Sequence, residues 1–111
     1  LLDTTFLVSD AMPTVGGSAH FSLYGDVIRL VNGRLVNSEG SLAGAHVTMA
    51  ESVARLINVV GIAPETALRM AVTIPARVIG APQLAAVIGR RLEDLLVLDA
   101  KWAVASTCAA L

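Results

Sequence analysis

Apolar and polar positions alternate with two different periods along this chain, and the change falls near residue 48. The chain opens with a short apolar run, Thr5-Phe-Leu-Val-Ser9, which closes on Asp10-Ala-Met-Pro13 and a Gly-rich loop, Val15-Gly-Gly-Ser18. An apolar run of that length before turn residues predicts a strand buried on both faces. Three short β segments follow, Phe21–Leu23, Val27–Val31 and Arg34–Val36, separated by Tyr24-Gly25-Asp26 and by Asn32-Gly33. Asn-Gly between apolar runs is the strongest short hairpin signal, so this region predicts a β-meander. It ends at Asn37-Ser-Glu-Gly40.

After a small-residue loop, Gly40 to Val47, the period becomes helical. Met49, Val53, Leu56, Ile57 and Val60 fall on one stripe,. Thr48 and Glu51 have capping-box spacing, and Gly61 is the expected stop. A second helix is predicted from Pro64, with Glu65 in its first turn, turning Ala67, Leu68, Ala71 and Val72 inward and ending before Pro75. Pro75–Ile79 reads as one further helical turn, stopped by Gly80 and Pro82, and residues 81–89 read as a loop. Leu95–Leu98, between Asp94 and Asp99, predicts a short buried strand, and residues 102–110 a last strand. There are no internal repeats and no low-complexity segment.

Composition changes this picture in one respect. With 111 residues the chain is 55% hydrophobic and 15% charged, with a mean hydropathy of +0.71. Average domains carry about 25% charged residues, and a small domain has a large surface for its volume. The pattern therefore implies apolar surface covered by something outside these residues, and the start at Leu1 without Met suggests a fragment. A net charge of −1, with basic residues scattered singly apart from Arg90-Arg91, argues against a nucleic-acid surface. No apolar run approaches the roughly 18 residues of a membrane span. The single cysteine, Cys108, excludes an intrachain disulfide, fits a reducing compartment and reads as a small buried apolar residue.

Asp10 is the main chemical candidate. A carboxylate at the C-terminal tip of a strand is a common place for chemistry in α/β barrels. The local alternative is structural, since Asp before a turn often accepts backbone N–H groups. At Gly44 the backbone can come close to a ligand, and a helix start suits polar or anionic groups; the same residues also read as an ordinary loop leading into a helix. Arg77 reads as a structural tie to carbonyls or carboxylates. His20 and His46 have no Cys, Asp or His partner at ligand spacing and read as surface or loop histidines. No phosphate loop, nucleophile elbow or CxxC is present.

Taken in order, Ser9-Asp-Ala-Met-Pro13, Asn32-Gly33, Gly40-Ser-Leu-Ala-Gly-Ala-His-Val-Thr-Met49, Ala67-Leu-Arg-Met-Ala71, Pro75-Ala-Arg77 and Asp94-Leu-Leu-Val-Leu-Asp99 resemble the C-terminal part of the N-acetylglucosamine-6-phosphate deacetylases of the amidohydrolase superfamily. The resemblance covers nearly the whole chain. The Leu42-Ala-Gly44 to Thr48-Met49 stretch is fairly specific to these deacetylases, whereas the strand-end Asp and the Asp-Leu-x-Val-Leu-Asp strand are shared more widely.

The resemblance implies an α/β chain: the C-terminal part of a metal-dependent (β/α)8 barrel, its last strand and helices, with strands of a small β-sandwich domain. A complete barrel needs about 250 residues, so this chain is incomplete as one. Residues 1–80 would supply the last barrel strand, a β-meander insertion and closing helices, and residues 81–111 a loop and the C-terminal strands of the β domain. Asp10 matches the catalytic aspartate, and Leu42, Ala43 and Gly44 match the loop that contacts the sugar phosphate. The divalent metal, zinc or iron, would be held by a Glu and two His upstream, so the fragment alone should bind none and be inactive. The implied reaction removes acetate from N-acetylglucosamine 6-phosphate in the cytoplasm, and the implied assembly is a homodimer. Neither a nucleic acid nor a membrane is implied as a partner.

Three departures stand out. Ala45 sits where members often carry Ser, Arg90-Arg-Leu-Glu93 replaces a Gly-x-x-Ala, and Thr107-Cys-Ala-Ala-Leu111 lacks a Gly turn. Two other readings stay open from the residues. One is a fragment of another amidohydrolase, a cyclic-amide hydrolase or deaminase, which would share Asp10 without needing the Leu42–Gly44 loop. The other is a non-catalytic oligomerising module.

Overall fold

The computed structural model describes residues 1–107; Cys108 and the end of the expected last strand lie outside them. The chain divides into two compact units, Ser9–Thr48 and the remainder, Leu1–Val8 with the residues from Met49 onward.

The Ser9–Thr48 unit is a three-stranded antiparallel meander, β1 (His20–Leu23), β2 (Asp26–Val31) and β3 (Arg34–Val36), in the order β1-β2-β3. Both turns have two residues at positive φ, Tyr24 (50°) with Gly25 (84°) and Asn32 (51°) with Gly33 (76°). That backbone twist matches the twist of the flanking strands, which is why Asn-Gly predicted it. Phe21 lies opposite Ile28, and Leu30 opposite Leu35. These four share one face, and Ile28 and Leu35 are buried,. The unit is closed by side-chain oxygens. Asn37 Oδ1 accepts the N–H groups of Glu39 and Ser41. Asp26 accepts from the Val27 N–H at 2.7 Å and the Ser38 N–H at 3.4 Å. A hydrogen bond from the Ser38 side chain, with these backbone donors and the Arg29 charge, holds the Asp26 carboxyl below its usual range, against an opposing effect of desolvation,.

The second unit is helical, with a C-terminal hairpin. Helix α1 (Met49–Arg55) starts one residue after Thr48 and runs into a π-helical turn, Leu56–Val60, that ends on Gly61 at φ +81°. Val53 is its buried centre, and Leu56 and Ile57 are half-buried, but Val60, expected inward, is exposed.

The second helical run departs from expectation. It does not stop before Pro75. Helix α2 (Pro64–Leu68) continues through a π turn (Arg69–Thr73) into α3 (Ile74–Val78). In the π turn the Ile74 N–H bonds the Arg69 carbonyl five residues back. By the same spacing residue 75 would bond the carbonyl of Met70, but proline has no N–H. That carbonyl is instead taken by the N–H of Leu7 at 3.0 Å. The π turn thus lets the helix pass a proline, and the freed acceptor anchors the N-terminal segment. Ala67, Met70 and Ile74 are buried on one i, i+3, i+7 stripe. Val72, expected inward, lies more than a right angle around the helix from Ala67 and is exposed,. Gly80, at φ +74°, ends the run; its own N–H reaches the Arg77 carbonyl and the Ala81 N–H that of Ala76, the double hydrogen bond of a glycine-terminated helix. The Arg77 side chain is exposed and makes no ion pair or hydrogen bond among the described residues, contrary to the expected tie.

Two further expectations are corrected. Thr5–Ser9 is not a buried strand. Within Leu1–Val8 the extended stretch has the single Leu7–Met70 rung, and Phe6 and Val8 are exposed. A strand exists through its neighbours, and no other described strand runs beside this one,. Likewise β4 (Leu96–Leu98) pairs antiparallel with β5 (Val104–Thr107), yet Leu96 is exposed. The connecting turn needs no glycine: Asp99 Oδ1 accepts the Lys101 and Ala103 N–H groups, and Trp102 takes the left-handed conformation at φ +68°. Within residues 81–95, Pro82–Ala85 and Leu92–Asp94 form single 3-10 turns, and Arg91 pairs with Glu93. No helix among the described residues is long and apolar enough to cross a membrane.

Candidate active site

The site candidates come together inside the Ser9–Thr48 unit. Residues 10–12 and residue 45 run parallel and share one β rung, Ala11 with Ala45. The Ala45 N–H donates to the Asp10 carbonyl at 3.2 Å, and the Met12 N–H donates to the Ala45 carbonyl at 3.1 Å. The turn that carries Asp10 and the loop that carries Leu42, Ala43 and Gly44 are therefore held by main chain at adjoining positions. Ala45 contributes only its backbone to this rung, so alanine in place of the more usual serine leaves the rung intact.

Asp10 has φ +48°, a conformation Asp tolerates better than most residues. Its side chain is exposed and makes no hydrogen bond or ion pair among the described residues. The structural alternative for Asp10 was acceptance of a backbone N–H at the turn. That role falls to its neighbour, since Ser9 Oγ accepts the Ala11 N–H at 3.3 Å. Asp10 is left as a carboxylate fixed by its backbone and free at its oxygens. Non-glycine residues held at positive φ concentrate at functional positions, where the surrounding structure over-determines them.

The Leu42–Gly44 loop alternates. The Ala43 N–H bonds the Leu35 carbonyl and the Ala45 N–H bonds Asp10. The N–H groups of Leu42 and Gly44 have no partner among the described residues, and both residues are exposed. The loop thus leaves two main-chain donors open among the described residues. Gly44 sits at φ +93°, and a Cβ there would come within 2.4 Å of Met12 Cγ. Glycine is required twice, by conformation and by space.

One partnership had no local signal in the sequence. His46 Nδ1 and Thr14 Oγ1 share a hydrogen bond at 2.9 Å, and Thr14 is buried, with 3% of its surface exposed. His20, by contrast, is exposed at the start of β1. Among the described residues no group of three or more His, Cys, Asp or Glu is arranged to hold a metal ion.

Comparison with known proteins bears on what such a site belongs to. No protein-family profile matches the chain. It is 29% identical over 109 residues to the N-acetylglucosamine-6-phosphate deacetylase of Haemophilus influenzae, a match that takes in 95% of this chain and 29% of the relative. It is 29% identical over 75 residues to the N-acetylgalactosamine-6-phosphate deacetylase of Escherichia coli O157:H7, covering 67% of this chain and 20% of that one. Its fold superposes on the crystal structure of N-acetylglucosamine-6-phosphate deacetylase from Pasteurella multocida with a TM-score of 0.83 at 30% identity, over 95% of this chain and 28% of the other. Its relatives are amino-sugar 6-phosphate deacetylases. The likeness seen in the motifs is thus carried by sequence and fold together, for a small α/β piece that spans under a third of the length of each of these three proteins.

Proposed function

We propose that this chain is the C-terminal segment of a cytoplasmic N-acetylglucosamine-6-phosphate deacetylase and that it brings the proton-transferring carboxylate, Asp10, to the reaction. In this reading the segment supplies the last strand and helices of a (β/α)8 barrel and strands of a small β domain. The divalent metal, zinc or iron, belongs to residues outside this sequence. The observation that carries the reading is the pairing of a carboxylate with free oxygens and two backbone donors, Leu42 and Gly44 N–H, on segments joined by one rung.

The chemistry follows from amide hydrolysis. Water attacks the acetyl carbonyl; its oxygen bonds to carbon while the Asp10 carboxylate accepts its proton. The carbon–nitrogen bond then breaks as Asp10 returns that proton to nitrogen, which would otherwise leave as an unstable amide anion. Acetate and the free amino sugar result. Leu42 and Gly44 would direct their N–H groups at hydroxyl or phosphate oxygens of the sugar.

The test is acetate release from N-acetylglucosamine 6-phosphate by the complete enzyme and by residues 1–111 alone. The reading predicts turnover by the former and none by the latter. No release by the complete enzyme would overturn it, and turnover by residues 1–111 would overturn the placement of the metal ligands elsewhere.

The same reading includes self-association. Val8 is 73% and Val59 79% exposed, and apolar surface of this kind drives association. Residues 1–111 alone are expected to run as a dimer or larger in light scattering at high concentration; a monodisperse monomer would contradict this.

A further inference from the structure

We infer that His46 is a positioning residue: through the buried Thr14 hydroxyl it holds the turn carrying Asp10 in register with the Leu42–Gly44 loop. Its consequence for turnover rests on the deacetylase reading above; the tie itself does not.

The need for such a tie follows from where the main-chain pairing runs out. The two segments share one rung, at Ala11 and Ala45. A parallel ladder would continue by drawing on the Met12 carbonyl and the Thr14 N–H. The Met12 carbonyl is already taken by the Val15 N–H at 3.0 Å. The Thr14 carbonyl accepts the Gly17 N–H at 3.3 Å, closing a turn so tight that a Cβ at Gly17 would lie 2.3 Å from the Pro13 carbonyl oxygen. Among the described residues no second backbone rung joins the two segments.

Beyond it the crossing is made by side chains. Thr14 stands two residues past Met12, and His46 one residue past Ala45. Their hydrogen bond, at 2.9 Å, joins positions 32 apart in sequence. Thr14 is buried, and a hydroxyl there that loses its imidazole partner carries the cost of an unpaired polar group,. The bond thus brackets the single rung on its C-terminal side. Gly44, which accommodates Met12, brackets it on the other. Freed of the His46 bracket, the rung would open, and the Asp10 carboxylate and the Leu42 and Gly44 donors would no longer keep one spacing.

The test uses two isosteric disruptions and two conservative rescues. Thr14→Val keeps the shape and removes the hydroxyl, and His46→Leu removes the ring nitrogens. Thr14→Ser keeps the hydroxyl, and His46→Asn returns a polar atom near the Nδ1 position. The first readout is amide hydrogen exchange on residues 1–111, comparing the Met12 and Ala45 N–H groups with the Leu30 N–H, which bonds Ala19 within the meander at 2.8 Å. Thr14→Val and His46→Leu are each expected to speed exchange at Met12 and Ala45 about tenfold or more relative to Leu30, as expected for local opening. The double variant should do no more than either single, and the rescues should stay near wild type. Equal acceleration at all three amides, or none, would overturn the tie.

The second readout is kinetics of the complete enzyme. The two disruptions are expected to lower kcat by about tenfold, with the rescues within about threefold of wild type, the scale set by small misplacements of reacting groups. Local opening in exchange with unchanged kcat would overturn the positioning role. A complete enzyme that is inactive without any substitution would instead defeat the deacetylase reading, and the exchange result would still decide whether His46 and Thr14 hold the two segments together.

Discussion

Gly44→Val in the complete enzyme is expected to raise KM for the sugar phosphate by about tenfold or more, while metal content stays intact. Two separate effects act at this position. The residue sits at φ +93°, where an L side chain is strained by roughly 1–2 kcal/mol, more for a β-branched one. The new Cβ would also lie 2.4 Å from Met12 Cγ and 3.0 Å from its Sδ. Met12 must move, and its N–H is the group that holds the Ala45 carbonyl. The displacement therefore reaches both the Gly44 donor and the Asp10 turn, and small misplacements of this kind can cost up to about 10²-fold in rate. Gly40→Ala is the matched control. Gly40 has φ +82° with open space where a Cβ would go, so it carries the conformational strain without the collision. It should lower the melting temperature slightly and leave KM unchanged. Equal KM values for Gly44→Val and wild type would return residues 42–44 to the role of a loop leading into a helix.

The parts of this fold legible in the sequence are those set by neighbours along the chain. The meander followed from Asn32-Gly33 and from alternation on either side of it, because a two-residue turn fixes register by itself. The stop at Gly61 followed from the left-handed conformation that glycine adopts without cost,. What was not legible depended on partners far away. Pro75 read as a helix stop, yet the helix continues through it, because a π turn and the Leu7 N–H together resolve the missing hydrogen bond. Nothing near Pro75 announces Leu7. Thr5–Ser9 and Leu95–Leu98 read as buried strands on composition, but burial is conferred by neighbours and not by apolar character alone.

The site divides the same way. Asp10 stood out locally as a carboxylate at the end of an apolar run, with a capping role as its competitor. That competition turned on Ser9, whose hydroxyl takes the Ala11 N–H. The approach of residues 42–44 to Asp10 came only from resemblance to the deacetylases, since no local pattern links segments more than 30 residues apart. The His46–Thr14 bond left no trace in the sequence at all: a histidine and a threonine in separate loops are unremarkable until the fold brings them to 2.9 Å.

The second large effect concerns Asp10 itself. Asn has nearly the volume of Asp and its carbonyl oxygen can still accept a hydrogen bond, and the left-handed backbone suits both residues. Asp10→Asn should therefore fold normally. It cannot take a proton from water and return it to nitrogen at neutral pH. The loss of a general acid–base group predicts a kcat about 10²–10⁴-fold lower. Binding should largely survive, because the interaction removed is one made in the transition state.

The most direct measurement is kcat for acetate release by the complete enzyme, wild type beside Asp10→Asn, with a thermal melt and metal analysis on both. The account predicts matching melts, matching metal content and a fall in kcat of about two to four orders of magnitude, the usual range for a lost acid–base group. A variant that keeps kcat within about threefold of wild type, far short of that range, would remove Asp10 from the reaction and leave it as a residue of the turn.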